Sequence, residues 1–171
     1  LPDINRTIGG YRAGAMYVIA GRPAMGKSAF ALFEARYLAR LGHHVLFFSL
    51  EMTAAEIRAR MASSDCGVPY QNILRGPLTT EQAHDAQGAL DGLRAYEGQL
   101  WIEEQAGLTA DEVRARTLRH IARHGKPDLV IVDHLQEMGL GGDGQPHDQL
   151  ARTVRHLRNL AKDEHIGLML V

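Results

Sequence analysis

Gly21-Arg22-Pro23-Ala24-Met25-Gly26-Lys27-Ser28 matches the phosphate-loop pattern G-x-x-x-x-G-K-[ST] without a mismatch. The apolar run Met16-Tyr17-Val18-Ile19-Ala20 leads into it and reads as a buried strand. A helical pattern from Ala29 to Leu41 leads out. Strand, glycine loop and helix in that order are the context the motif requires, and they outweigh a chance glycine turn. In such a loop the backbone N–H groups form a nest for phosphate oxygens, and the helix N-terminus adds partial positive charge. Gly21, Arg22, Pro23, Ala24, Met25, Gly26, Lys27, Ser28 and Ala29 are the expected nucleotide-binding residues. Gly26 should allow close backbone approach where any Cβ would clash. Lys27 has the reach for the β- and γ-phosphates, and the Ser28 hydroxyl suits Mg²⁺. ATP with Mg²⁺ is the expected ligand.

The chain of 171 residues can bury a real core. Its net charge of −1 gives no global basic field, although a local patch would suffice for nucleic acid. The single cysteine, Cys66, excludes an internal disulfide and suits a reducing, cytoplasmic location. No apolar run approaches the ~20 residues that span a bilayer, so no membrane partner is expected. Leu1 to Arg6 lacks a signal-peptide layout, and the chain starts without Met, which reads as a piece of a longer protein.

Around the loop, apolar runs alternate with helical patterns. Residues 3–15, with Gly9, Gly10 and Gly14, read as turns or a short ribbon. The helix from Ala29 carries Phe30, Leu32, Phe33, Tyr37, Leu38 and Leu41, a set broad enough to predict deep burial, with Gly42 as its C-terminal cap. Val45–Leu50 is a second buried strand. Thr53-Ala54-Ala55-Glu56 is a capping box for a helix over 54–64, broken by Val68-Pro69. Residues 69–78 read as a loop or short turn. Thr79 to Gln82 caps a helix over 80–96, with Leu90, Leu93 and Tyr96 inward. Leu100–Glu103 is a third strand. Thr109 to Glu112 is another capping box, for a helix ending near His124 with Val113, Leu118 and Ile121 inward. Leu129–Asp133 is a fourth strand, apolar on both faces as in parallel sheets. A glycine-rich loop over 139–144 precedes a helix from His147 to Asp163 with Leu150, Val154, Leu157 and Leu160 on one stripe. Gly167–Val171 is a fifth strand. This alternation predicts an α/β fold, a mostly parallel five-stranded sheet with helices on both faces.

In such sheets ligands sit at the C-terminal strand ends, where Ser28, Glu51 and Asp133 all fall. A dry apolar strand ending in Asp133 needs a partner for that charge, and a metal supplies one. The alternative is an aspartate capping the next turn. Glu51 is a second carboxylate at a strand end, able to orient or deprotonate an attacking water; the alternative is an ordinary first-turn helix glutamate.

Three stretches together resemble motifs of bacterial replicative DNA helicases, the DnaB-type hexameric enzymes with a RecA-like P-loop NTPase motor. They are Gly21–Ser28, Phe48-Ser49-Leu50-Glu51-Met52, and Val130-Ile131-Val132-Asp133-His134-Leu135-Gln136-Glu137-Met138. Thr7-Ile8-Gly9-Gly10 with Gly14, and Gly107-Leu108-Thr109 with Glu112-Val113-Arg114, add to the likeness, which runs over essentially the whole chain. The Ser-Leu-Glu-Met tetrad is its specific element. The resemblance implies that Lys27 contacts the terminal phosphates, that Ser28 and Asp133 hold Mg²⁺, and that Glu51 is the catalytic base. It implies that Gln136 couples the site to a DNA-facing loop. It further implies single-stranded DNA as partner, a homohexamer of the intact protein, and a final strand lying between the Asp133 strand and the phosphate-loop strand. On this reading residues 1–171 are a RecA-like core lacking the C-terminal part of the domain and an N-terminal docking helix. The phosphate-loop strand becomes an edge, and the isolated piece hydrolyses ATP weakly. Two departures stand out: His134 replaces the usual tyrosine after the metal aspartate, and Ile102-Glu103-Glu104 replaces Ile-Asp-Asp.

Nine histidines raise a metal site. His120 and His124 have i,i+4 spacing, but no third ligand suggests itself, so a solvated helix face is expected, with His43 and His44 exposed in a turn. Arg114, Arg116, Arg119 and Arg123 read as a salt-bridged surface rather than a DNA patch. Arg152, Arg155, Arg158 and Lys162 form a firmer basic row beside the 139–144 loop, a region that the resemblance places towards the central channel or the adjacent subunit; the alternative to nucleic-acid or interface contact is a solvated face. Three other functions compete with a helicase motor. A RecA-like recombination or clock-type ATPase is disfavoured by the tetrad, and an assembly switch without turnover by Glu51, which a switch does not need. A small-molecule kinase would need an arginine-rich lid that is not evident.

Overall fold

The computed structural model describes residues 9–96, 98–139 and 146–171. Its strands are β1 (Met16–Val18), β2 (Val45–Ser49), β3 (Leu100–Glu104), β4 (Leu129–Asp133) and β5 (Gly167–Leu170). Its helices are α1 (Lys27–Arg40), α2 (Ala54–Cys66), α3 (Tyr70–Arg75), α4 (Thr80–Arg94), α5 (Ala110–His124) and α6 (Pro146–Glu164), with a 3₁₀ turn at Leu135–Glu137. The expected Thr7-Ile8 segment and residues 140–144 of the glycine-rich loop lie outside the described residues.

Among the described residues all strand pairs are parallel, in the order β1-β5-β4-β2-β3. β5 lies between β4 and β1, the position implied by the RecA-like resemblance. β2 and β4 are buried along their whole length, because each has a strand on both sides and a helical layer on both faces. One layer packs Val113, Leu157 and Leu160 of α5 and α6 against Leu46, Phe48, Val130 and Val132. The other packs Ala35, Ile57, Met61 and Leu93 of α1, α2 and α4 against Phe47, Ile131 and Met169. Phe47 has no exposed surface. Phe47→Ala should therefore lower stability by about 3–5 kcal/mol, read by urea denaturation.

The capping boxes form as the sequence predicts. Thr53, Thr79 and Thr109 each accept from the backbone N–H three residues on, and Glu56, Gln82 and Glu112 reach back to the cap N–H. Gly42 follows α1 with φ 88°, and its N–H reaches Ala39 O.

Several expectations are corrected. β1 is shorter than Met16–Ala20 and is not buried: among the described residues it pairs with β5 alone, and Val18 is 56% exposed. α1 buries a face rich in alanine, while Phe33, Tyr37 and Leu41 face outward. The stretch read as loop after Pro69 contains α3, whose six residues are too few to show a helical period. In α5 the inward set is Val113, Thr117 and His120; Leu118 is exposed. In α6, Leu157 and Leu160 are buried but Leu150 is exposed.

The histidine expectation also fails. His120 is 6% exposed, and its Nε2 lies 2.8 Å from His44 Nε2, so α5 is tied to the residue preceding β2. His124 stacks on Trp101 at 3.9 Å. Burial first, then the charges of His44 and His124, lower the His120 pKa to about 4, while Glu103 opposes them. Burial likewise lowers His44, against the raising effect of Asp128. Above the ordinary value of 6.5 both rings are neutral folded or unfolded. As pH falls from there, the unfolded chain takes up protons that the folded chain refuses, so stability is lost on the acid side, down to about pH 4 for His120. Denaturant midpoints at pH 7 and 4.5 should show this loss in the wild type, with a shallower slope in His120→Gln.

Candidate nucleotide-binding site

The loop between β1 and α1 is built around two left-handed residues, Ala24 (φ 62°) and Gly26 (φ 82°). Gly26 caps α1 with no side-chain bond. The first helical bond runs from Phe30 N–H to Gly26 O at 2.9 Å. The N–H groups of Gly26, Lys27, Ser28 and Ala29 therefore have no carbonyl four residues back, and they gather at the positive end of the helix. A Cβ added at Gly26 would meet no protein atom within 4 Å. The glycine is thus required by its φ rather than by a clash inside the protein, and the space in front of it is an open cradle. Gly21 to Gly26 are all exposed. Lys27 Nζ donates back to Gly21 O at 3.1 Å and Arg22 O at 3.4 Å, so the ammonium is held over the loop.

Ser28, one residue into the helix, points its hydroxyl at the end of β4. Its Oγ donates to Asp133 Oδ1 at 2.9 Å across a sequence separation of 105 residues. Asp133 is 2% exposed. Burial pushes its carboxyl above the ordinary range; the Ser28 bond and the nearby His134 and Lys27 pull it down, and the charge of Glu51 adds to the rise. Such a carboxylate favours a cation. Among the described residues no cluster of three or more His, Cys, Asp or Glu side chains closes on a common point. A Mg²⁺ here would take its remaining ligands from phosphates and water, as this ion commonly does. The loop, its donors and the hydroxyl–carboxylate pair fit Mg²⁺–nucleotide.

Glu51 reaches the same place from β2. Ser49 pairs in register with Asp133, and Leu50 N–H donates to Asp133 O at 2.8 Å. Ser49 Oγ accepts from Met52 N–H at 3.2 Å and closes a turn with Glu51 inside it. Ala54 N–H donates to Glu104 Oε2 at 2.8 Å, which ties the start of α2 to β3. Glu51 Oε2 lies 3.4 Å from His134 Nδ1. Lys27, Ser28, Glu51 and Asp133 thus converge on one end of the sheet. Gln136 sits on the exposed 3₁₀ turn beside it. The residue that sequence reasoning did not connect to the site is His134, noted only as a departure; its contact with Glu51 is through space and leaves no spacing signal.

A parallel sheet of this order, with a phosphate loop after β1 and carboxylates after β2 and β4, defines a RecA-like P-loop nucleotide-binding fold. Two solved structures share it. One is described as a DnaB-like replicative helicase and its interactions with primase, with a TM-score of 0.89 at 24% identity, covering 99% of this chain and 42% of that one. The other is described as an ATPase domain, with a TM-score of 0.87 at 24% identity, covering 99% of this chain and 60% of that one. A sequence profile of the DnaB-like helicase C-terminal domain matches residues 1–171, and the chain belongs to that family. Among its relatives is the replicative DNA helicase DnaB of Leifsonia xyli subsp. xyli, 34% identical over 170 residues, 98% of this chain and 36% of that protein. The DnaB of Haemophilus influenzae is 30% identical over 169 residues, again 98% and 36%. The chain therefore spans just over a third of these relatives. Among the described residues no helix is long and apolar enough to cross a membrane.

Proposed function

We propose that this chain is the ATP-hydrolysing motor core of a cytoplasmic replicative DNA helicase, working as a homohexamer that translocates on single-stranded DNA and unwinds duplex. The observation that carries this is the 2.9 Å bond from Ser28 Oγ to Asp133 Oδ1 beneath the phosphate loop, with Glu51 on the adjoining strand end. Residues 21–29 receive the phosphates, Lys27 neutralises the terminal ones, and Ser28 and Asp133 hold Mg²⁺. When bound, the ion would supply charge neutralisation to the phosphates. Glu51 orients a water for attack on the γ-phosphorus and accepts its proton. Gln136, on the turn after β4, passes the state of the site towards the DNA. The cradle is open to solvent on its outer side, which suits a site whose far wall comes from a neighbouring subunit. A nucleotide-operated assembly switch without turnover is the alternative, and Glu51 disfavours it. Steady-state ATPase of the full-length protein, with and without single-stranded DNA, tests the reading. Turnover stimulated by DNA is expected; no turnover in either condition would favour the switch.

A further inference from the structure

The base assigned to Glu51 poses a positioning problem. Its side chain is 67% exposed, and a free glutamate has enough rotamer freedom to spend little time in any one pose. A base contributes only when it is held within reach of the proton it removes. Among the described residues the side-chain contact recorded for the Glu51 carboxylate is His134, whose Nδ1 lies 3.4 Å from Oε2. His134 Nε2 faces Glu137 Oε1 at 3.8 Å. The imidazole therefore stands between two carboxylates, one nitrogen towards each.

The mounting of His134 is firmer than that of Glu51. Leu135 N–H donates to Val171 O at 2.7 Å, and Glu137 N–H donates to His134 O at 3.0 Å. Met138, at the end of the same turn, is buried. The His134 side chain is 21% exposed. A ring on a tied backbone thus faces an exposed carboxylate.

We propose that His134 is a positioning residue for the catalytic base: its Nδ1–H holds Glu51 Oε2 and leaves Oε1 to receive the proton of the attacking water. This rests on the assignment of Glu51 in the preceding section. The proposal requires an N–H at Nδ1, 3.4 Å from Oε2, so another donor of similar reach should serve and a ring without one should not.

The test is a pair of variants in the full-length protein, His134→Phe and His134→Tyr, assayed for kcat, for KM and for the dissociation constant of Mg–ADP. Phenylalanine keeps a ring and removes the donor; tyrosine restores an O–H. The expected result is a kcat about tenfold lower for His134→Phe and within about threefold of wild type for His134→Tyr, a tenfold change being ~1.4 kcal/mol of barrier. ADP affinity should be unchanged in both. The proposal is overturned if His134→Phe keeps wild-type kcat, or if both variants fall equally, or if ADP affinity falls in step with kcat, since the last two indicate a merely structural role. A wild-type protein with no turnover would instead overturn the hydrolytic reading itself, leaving no base to position.

Discussion

Lys27→Ala should leave the fold intact and reduce Mg–ADP binding by at least a hundredfold. The side chain is not part of the core: its ammonium lies over the loop, donating to the carbonyls of Gly21 and Arg22. Those two contacts are the ones that a phosphate would replace or share. Charge-assisted hydrogen bonds contribute roughly 1.5–3 kcal/mol each. Two such bonds from the ammonium to phosphate oxygens contribute about 3–6 kcal/mol gross, offset in part by the carbonyl contacts they displace, and each 1.4 kcal/mol is tenfold in affinity. The loop N–H groups remain, so weak residual binding is compatible with this role. Calorimetric titration decides the matter, with a thermal melt as control. Unchanged affinity in a folded variant would remove the phosphate loop from the site.

Glu51→Gln should behave in the opposite way. Nucleotide affinity should stay within a few-fold, because Glu51 stands across from the loop at the end of β2 and the amide keeps its size. Turnover of the full-length protein should fall by ~10²–10⁴, the usual contribution of a general base. Steady-state ATPase read beside ADP titration separates the two effects. A loss of turnover smaller than about tenfold, ~1.4 kcal/mol of barrier, would mean that another group or a water chain takes the proton.

The parts of this fold that were legible in the sequence are those governed by short-range rules. Each capping box is a four-residue pattern, and all three form. The buried strands β2 and β4 announce themselves as apolar runs because both their faces are covered. Strand order is not a local property; it followed from the family resemblance, and β5 lies where that placed it. What stayed illegible depends on neighbours in space. The apolar run Met16–Ala20 reads as buried, yet Val18 is exposed: among the described residues β1 pairs with β5 alone, the edge position that the resemblance, not the composition, implied. The breadth of apolar residues on α1 suggested deep burial, yet its inner face is filled by Ala31, Ala35 and Ala39, because a helix lying close to a sheet favours small residues there. His44 and His120 are 76 residues apart and meet ring to ring. At the candidate site the residue types and their places at strand ends were readable, and the structure brings Lys27, Ser28, Glu51 and Asp133 together. The contact of His134 with Glu51 was not readable, since the one side chain follows β4 and the other follows β2.

The most direct test of the proposed site is a crystal structure of the protein with Mg²⁺ and a non-hydrolysable ATP analogue. Phosphates are expected against the N–H groups of Gly26 to Ala29 and the Lys27 ammonium, with Mg²⁺ on the Ser28 hydroxyl and close to Asp133. The Glu51 carboxylate should face the γ-phosphate. Nucleotide bound elsewhere on the chain, or phosphates in the loop with the metal away from both Ser28 and Asp133, would contradict it.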